Sequence, residues 1–225
     1  MRTIPYVMAI NEALREEMER DEKIFIIGED VQAGVFGASR GLVKIFGPER
    51  VMDTPLAETA VGGAAVGAAM AGYHPVADFM FADFLWDAAD EVFLKAAKWH
   101  FIHAGKVKLP IVIFACGGGG ARLGPEHSQM PEGVVMHTPG LKLCLPSTPA
   151  DAKGLLKTAL RDPNPVVYLY HKRLLGLMGE VPDGDVTVPF GVADVKKPGT
   201  DITVVATSLQ VQSALNVAKD RKSVV

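Results

Sequence analysis

Glu58 stands where a carboxyl group could move a proton. It closes the stretch Asp53-Thr54-Pro55-Leu56-Ala57-Glu58 and precedes residues 60–72, a run of glycine, alanine, valine and one methionine without a single charge. An acid in a first helical turn is favoured by the helix dipole, so a purely local role accounts for the spacing. A second role follows from the neighbourhood. Against an apolar, small-residue surface the carboxyl would lose water, its pKa would rise, and it could exchange a proton with a ring nitrogen near neutral pH. The missing side chains would also let a flat ligand or another helix approach the backbone closely. On the residues alone both roles stay open.

Three further segments could do chemistry. In Asp78-Phe79-Met80-Phe81-Ala82-Asp83-Phe84-Leu85-Trp86, aromatic rings gather at the end of an apolar run. Such rings belong in a core, or, at the carboxyl end of a strand, could stack on a heteroaromatic ligand. Gly117-Gly118-Gly119-Gly120 leads through Arg122 and Pro125 to Glu126-His127-Ser128-Gln129. No Gly-Lys-Ser/Thr follows the glycines, so the stretch reads as a flexible active-site loop and not as a phosphate loop. His127, in a polar loop after a strand, suits acid, base or hydrogen-bond work. Asp162-Pro163-Asn164-Pro165 is ordinary turn chemistry, although its oxygens and nearby carbonyls could hold a hard cation.

Alternating elements must position these groups. Ile10, Ala13, Leu14 and Met18 recur at helical spacing, and residues 23–27 form a short β-rich run closed by Gly28. A helix over 60–71, a strand over 76–80 and a helix over 87–99 follow. Residues 109–115 and 141–145 are continuous apolar runs, as in strands covered on both faces of a parallel sheet. Ser147-Thr148-Pro149-Ala150-Asp151 carries a capping hydroxyl, a proline and a first-turn acid, so a helix should run from there to Leu160. A last strand spans 165–170. The expected fold is α/β, a doubly wound, mostly parallel sheet with helices on both faces, over residues 1–175. Turn residues dominate 176–199, read as a linker. Within 200–225, residues 201–206 resemble a first strand and Val211, Ala214, Leu215 and Ala218 a first helix face, the start of a second α/β domain.

Composition narrows the function classes. With 225 residues, 48% hydrophobic and 22% charged, the chain can bury a full core. A net charge of -3 with interspersed signs leaves no basic stripe for nucleic acid. No apolar stretch approaches the roughly 20 residues of a membrane span, so a cytoplasmic protein without a membrane partner is expected. Cys116 and Cys144 lie in or beside apolar runs and read as reduced, structural thiols.

Taken in order, Gly28-Glu29-Asp30, Phe46-Gly47-Pro48-Glu49-Arg50-Val51, Asp53-Thr54-Pro55 through Glu58, Phe81-Ala82-Asp83-Phe84, His127-Ser128-Gln129 and Pro139-Gly140-Leu141-Lys142 resemble one family. It is the beta subunit of the decarboxylase component of 2-oxo acid dehydrogenases, with pyruvate, branched-chain and acetoin members. The resemblance implies a transketolase-like pyrimidine-binding domain, with thiamine diphosphate lying between this chain and an alpha subunit in an α2β2 assembly that includes a beta-beta contact. Glu58 matches the glutamate that hydrogen-bonds the aminopyrimidine. Phe84 matches the aromatic packed against that ring, and Met80 is assigned to the same cofactor-binding surface. His127 matches an active-site histidine of substrate handling or acyl transfer to lipoamide. Ile111, Ala159, Asp162 and Asn164 match positions that bind a structural potassium ion.

The chain lacks the Gly-Asp-Gly with a downstream Asn that holds a diphosphate on its metal, so Mg2+ is expected on the alpha subunit. Glu126 replaces a more usual glutamine and Val134-Val135 an aromatic pair. Docking on a dihydrolipoyl acyltransferase core is left open, since the family's C-terminal domain is represented here by one strand and one helix. The competing readings are an acetoin dehydrogenase beta subunit and a catalytically silent assembly module. A fragment of transketolase or deoxyxylulose-phosphate synthase fits the His-Ser-Gln setting less well.

Overall fold

Breaks in the apolar runs set the architecture. The structure, a computed structural model, describes residues 1–219. The chain opens with β1 (Arg2–Pro5), α1 (Tyr6–Arg20), β2 (Ile24–Gly28), the short α2 (Val43–Phe46) and β3 (Val51–Asp53). Next come α3 (Glu58–Met70) and β4 (His74–Phe81), a 3-10 turn at Ala82–Trp86, and a π-helical stretch, Asp90–Ala96, that continues as α4 (Ala97–Ile102). β5 (Val112–Gly117), α5 (Glu132–His137), β6 (Lys142–Cys144), α6 (Pro149–Leu160), β7 (Val166–His171), β8 (Met178–Val181) and α7 (Leu209–Val217) complete the order.

Six strands form one sheet in the order β3-β2-β4-β5-β7-β6, every neighbouring pair parallel. This is the doubly wound sheet that the alternating sequence pattern implies. β5 and β7 are buried at every residue, which is why they read as unbroken apolar runs. Their pleat sends alternate side chains to two separate cores. Val112, Phe114 and Cys116 face α1 and α6 with Ile10, Leu14 and Leu156, whereas Ile113 and Ala115 face α3 and the π-helical stretch with Val61, Ala65 and Val92.

Charged groups fasten α1 to α6. Lys153 Nζ donates to Glu16 at 2.6 Å, Lys157 Nζ to Glu16 at 2.8 Å, and Arg161 Nε to the buried Glu17 at 2.9 Å. The Thr148 side chain accepts from the Asp151 N–H at 3.1 Å with Pro149 in the first turn, the cap read from the sequence. Both cysteines are free and buried, and burial pushes the Cys144 thiol up to about 12.

Several elements depart from the expected pattern. The segment 87–99 is not a plain α-helix but contains a π ladder over Asp90–Ala96, and seven residues are too few for an apolar period to separate that wider turn from an α turn. β3 has three residues of which only Val51 is buried, too short to show a period. Within 176–199, β8 pairs antiparallel with β1. Residues 201–206 form no strand: with no neighbour to pair, Ile202 and Val205 are 82% and 89% exposed. Residues 220–225 lie outside the described residues.

Candidate active site

β3 lies on one side of β2 and β4 on the other, so the chain reverses its direction of winding between β2 and β4. In open parallel sheets this switch point, at the carboxyl ends of the strands, is where ligands bind. A small cavity sits there, lined by Glu29, Asp30, Phe36, Asp78, Met80 and Tyr170 among others. Gly28 pairs with Asp78 across the two strands. Beyond that pair the β4–β5 register slips by one residue, between Asp78 and Phe81. Met80 lies in this bulge with φ 60°, a left-handed conformation for a non-glycine residue.

The Asp78 Oδ1 accepts from the Met80 N–H at 2.8 Å. Burial nevertheless pushes the Asp78 carboxyl up to about 7 from an ordinary 3.8, the Met80 bond opposing the shift. A carboxyl raised on folding binds its proton more tightly in the native state. Its contribution to stability is therefore full below about pH 4, falls as pH rises, and is gone above about pH 7. Asp78→Asn keeps the acceptor and removes the titration. The variant is expected to unfold at a higher temperature than the parent at pH 8, and to flatten the decline between pH 5 and 7. Parallel melting curves for the two proteins would expose the error in this assignment.

Past the bulge the aromatic side chains close on a histidine. The His127 ring lies 4.4 Å from Phe81 and 5.4 Å from Phe84, edge to face, and Phe81 also meets Phe36 at 5.1 Å. Asp83, 5% exposed and between the two phenylalanines, receives the Ser128 N–H at 3.2 Å and the Gln129 N–H at 3.1 Å on Oδ1. Trp86 Nε1 donates to Gln129 Oε1 at 3.2 Å, and the Gly118 N–H donates to the Gln129 carbonyl at 2.9 Å. The glycine run allows this closure. Gly118 has φ 91°, and a Cβ there would lie 2.0 Å from His171 Nε2.

Two further basic groups sit at the end of β7. His171 Nδ1 accepts the Arg173 N–H, and burial, with Lys172 and Arg173 alongside, holds the His171 ring below its ordinary pKa. Lys172 is 8% exposed; its Nζ lies 5.1 Å from the Phe81 centroid and has no hydrogen-bond partner among the described residues. Burial lowers its pKa while Cys116 and Asp83 oppose that shift.

Glu58 is the first residue of α3 and is half-buried. Thr59 Oγ1 donates to the Asp87 carbonyl at 2.7 Å, fastening this helix start beside the end of the aromatic turn. Burial, then Asp30 and then Glu58 hold the Glu29 carboxyl above its ordinary range. No ring contact or hydrogen bond among the described residues joins Glu58 to Phe84 or His127.

Residues 2–178 match the family model described as transketolase, pyrimidine binding domain. The chain is 49% identical over 222 residues to the 2-oxoisovalerate dehydrogenase subunit beta of Bacillus subtilis, covering 97% of this chain and 68% of that protein. The chain belongs to the family of 2-oxo acid dehydrogenase beta subunits. It is 43% identical to the acetoin:2,6-dichlorophenolindophenol oxidoreductase subunit beta of Cupriavidus necator, covering 96% of this chain and 68% of the relative. With the pyruvate dehydrogenase E1 component subunit beta of Rickettsia conorii it shares 42% identity, over 93% of this chain and 65% of the relative. The chain thus spans about two thirds of the length of these beta subunits. A solved structure titled split gene transketolase, inactive beta4 tetramer, superposes with a TM-score of 0.78 at 26% identity, covering 96% of this chain and 66% of that one.

The cation positions implied by the beta-subunit resemblance lie toward the amino ends of β5 and β7, the opposite end of the strands from the switch point. Ile111 directly precedes β5, while Ala159 lies in the last turn of α6 and Asp162 and Asn164 fill the turn to β7. The Ala159 carbonyl accepts the Asp162 N–H at 3.2 Å, and the Ile111 carbonyl accepts the Val166 N–H at 3.0 Å. Asp162 accepts the Asn164 N–H on one oxygen and the Lys142 ammonium on the other. Sequence reasoning missed Phe36, Asp83 and Lys172. The last was visible only as a charge directly after an apolar strand, Asp83 only as a member of the aromatic segment 78–86 with no role assigned, and Phe36 carries no local signature.

Proposed function

We propose that this beta subunit, joined to an alpha-type partner, binds the aminopyrimidine end of thiamine diphosphate and serves a decarboxylation that passes an acyl group to lipoamide. The observation that supports this best is the Phe81–Phe84–His127 cluster at the sheet's switch point, beside a helix whose first residue is Glu58. These residues suit a flat heteroaromatic ring: Phe84 and Met80 supply apolar contact and Glu58 an acid with a proton to share. A diphosphate on a metal calls for acidic and amide ligands of the Gly-Asp-Gly type with a downstream Asn, which this sequence lacks. In this reading Mg2+ and the diphosphate belong to the alpha subunit of an α2β2 assembly.

Thiamine diphosphate, when bound, supplies the electron sink for breaking the bond next to the substrate carbonyl. Glu58 holds and returns the proton at the pyrimidine ring nitrogen. Phe84 and Met80 orient the ring, and the Phe81 and Phe84 rings keep water from it. His127 donates to, or takes a proton from, the substrate oxygen or the incoming sulfur. Ile111, Ala159, Asp162 and Asn164 hold potassium as a structural ion. The division into a pyrimidine-binding domain at 1–175, a linker at 176–199 and the start of a second domain at 200–225 belongs to the same reading, as does a cytoplasmic location.

The test is assembly with the alpha-type chain and titration of the pair with thiamine diphosphate and Mg2+, in potassium and in sodium buffers. Saturable binding by the pair and by neither chain alone is expected, tighter in potassium. Turnover of pyruvate, a branched-chain 2-oxo acid and acetoin then identifies the substrate. A pair that assembles and binds no thiamine diphosphate would leave a silent assembly module as the function.

A further inference from the structure

We infer that Asp83 is the positioning residue for His127, a role that rests on the catalytic part proposed for that histidine. Three hydrogen bonds and two ring contacts carry the inference. The Asp83 carboxylate receives the Ser128 and Gln129 N–H groups, Oδ1 taking both at 3.2 and 3.1 Å and Oδ2 approaching the second at 3.4 Å. These are the two residues that follow His127, so the carboxylate fixes the backbone from which the imidazole hangs. The same 3-10 turn, Ala82–Trp86, presents Phe84 to one side of that imidazole, and Phe81, the residue before the turn, packs at 4.4 Å. One short turn therefore supplies both the surface the histidine rests on and the tether that sets its distance. Trp86 adds a second tie, to the Gln129 side chain.

Nothing in the secondary structure requires this carboxylate. The loop between β5 and α5 is glycine-rich and mostly exposed, with little packing of its own to hold its path. Within it, the Ser128 hydroxyl reaches only the Gly124 carbonyl, four residues back. Asp83 joins it from 45 residues away, and a buried carboxylate satisfied by backbone N–H groups makes a strong, directional, charge-assisted anchor. Its negative charge also opposes the downward shift that burial imposes on Lys172, whose ammonium lies over the Phe81 ring. Loss of the anchor would let His127 drift, and displacements on the order of 1 Å in a reacting group cost about 100-fold in rate.

A double-mutant cycle in the assembled pair decides the matter. Asp83→Ala is expected to lower kcat about 10- to 100-fold while thiamine diphosphate affinity stays near the parent value, with a modest fall in the unfolding midpoint from the two N–H groups left without an acceptor. Asp83→Asn, whose Oδ1 can still accept both N–H groups, should recover part of that loss. In a His127→Gln background neither substitution should lower kcat further, since there is no imidazole left to position. Losses that multiply in the double variants, or an Asp83→Ala enzyme with full kcat, would overturn the inference. Should Asp83→Ala not assemble, the Asp83→Asn arm of the cycle separates the same two outcomes. Full activity of His127→Gln alone would instead reject the role of the histidine, and with it the need to position it.

Discussion

Glu58→Gln is expected to lower kcat of the assembled pair by about 100- to 10,000-fold, the usual contribution of a positioned acid or base. Glutamine has the shape of glutamate and can hydrogen-bond a ring nitrogen, yet it cannot carry a proton between two states. Thiamine diphosphate should accordingly bind within a few-fold of the parent affinity, with the loss confined to turnover. The side chain starts α3 and no hydrogen bond to it is seen among the described residues, so the fold has little to lose. Stopped-flow or coupled-assay rates at saturating cofactor provide the measurement. Turnover within twofold of the parent would remove Glu58 from the mechanism.

Phe114→Ala is expected to destabilise the chain by about 3–5 kcal/mol, lowering the unfolding midpoint by roughly 6 to 20 °C. The ring is 1% exposed in the middle of β5 and stacks on Tyr168 at 5.5 Å with planes 12° apart, while Tyr170 meets it at 4.7 Å. The neighbours cannot collapse into the hole. The Tyr168 hydroxyl donates to the Ala152 carbonyl at 2.8 Å, so the ring stacked on Phe114 is tied to the backbone at its far end. A cavity that stays open costs more than one that closes. A midpoint shift under 3 °C in a calorimetric scan would show that this layer repacks.

What could be read from the residues follows from where the information resides. β5 and β7 were legible because both faces are covered, which leaves a signature of continuous apolar residues. The start of α6 was legible because a threonine, a proline and an aspartate are each favoured there for a separate local reason. Asp83 was hidden for the opposite reason: its partners lie 45 and 46 positions away, and no spacing rule spans that distance. The bulge at Met80 was hidden because left-handed backbone is announced by glycine or asparagine, and methionine there is set by tertiary packing. The run at 201–206 has strand composition, but composition cannot supply the neighbouring strand that pairing needs.

Counting along β4 gives the slipped register a sharper meaning. In strict alternation Phe81 would share a side with Phe79, which belongs to the core beneath α3. The extra residue instead sets Phe81 opposite Cys116, on the side that Asp78 shares with Phe114. Straightening the bulge with every residue kept would thus swing the aromatic turn to the wrong layer, whereas deleting one residue between Asp78 and Phe81 would leave Phe81 opposite Cys116 in a regular strand. For this strand, the left-handed kink at Met80 decides which layer the aromatic rings enter.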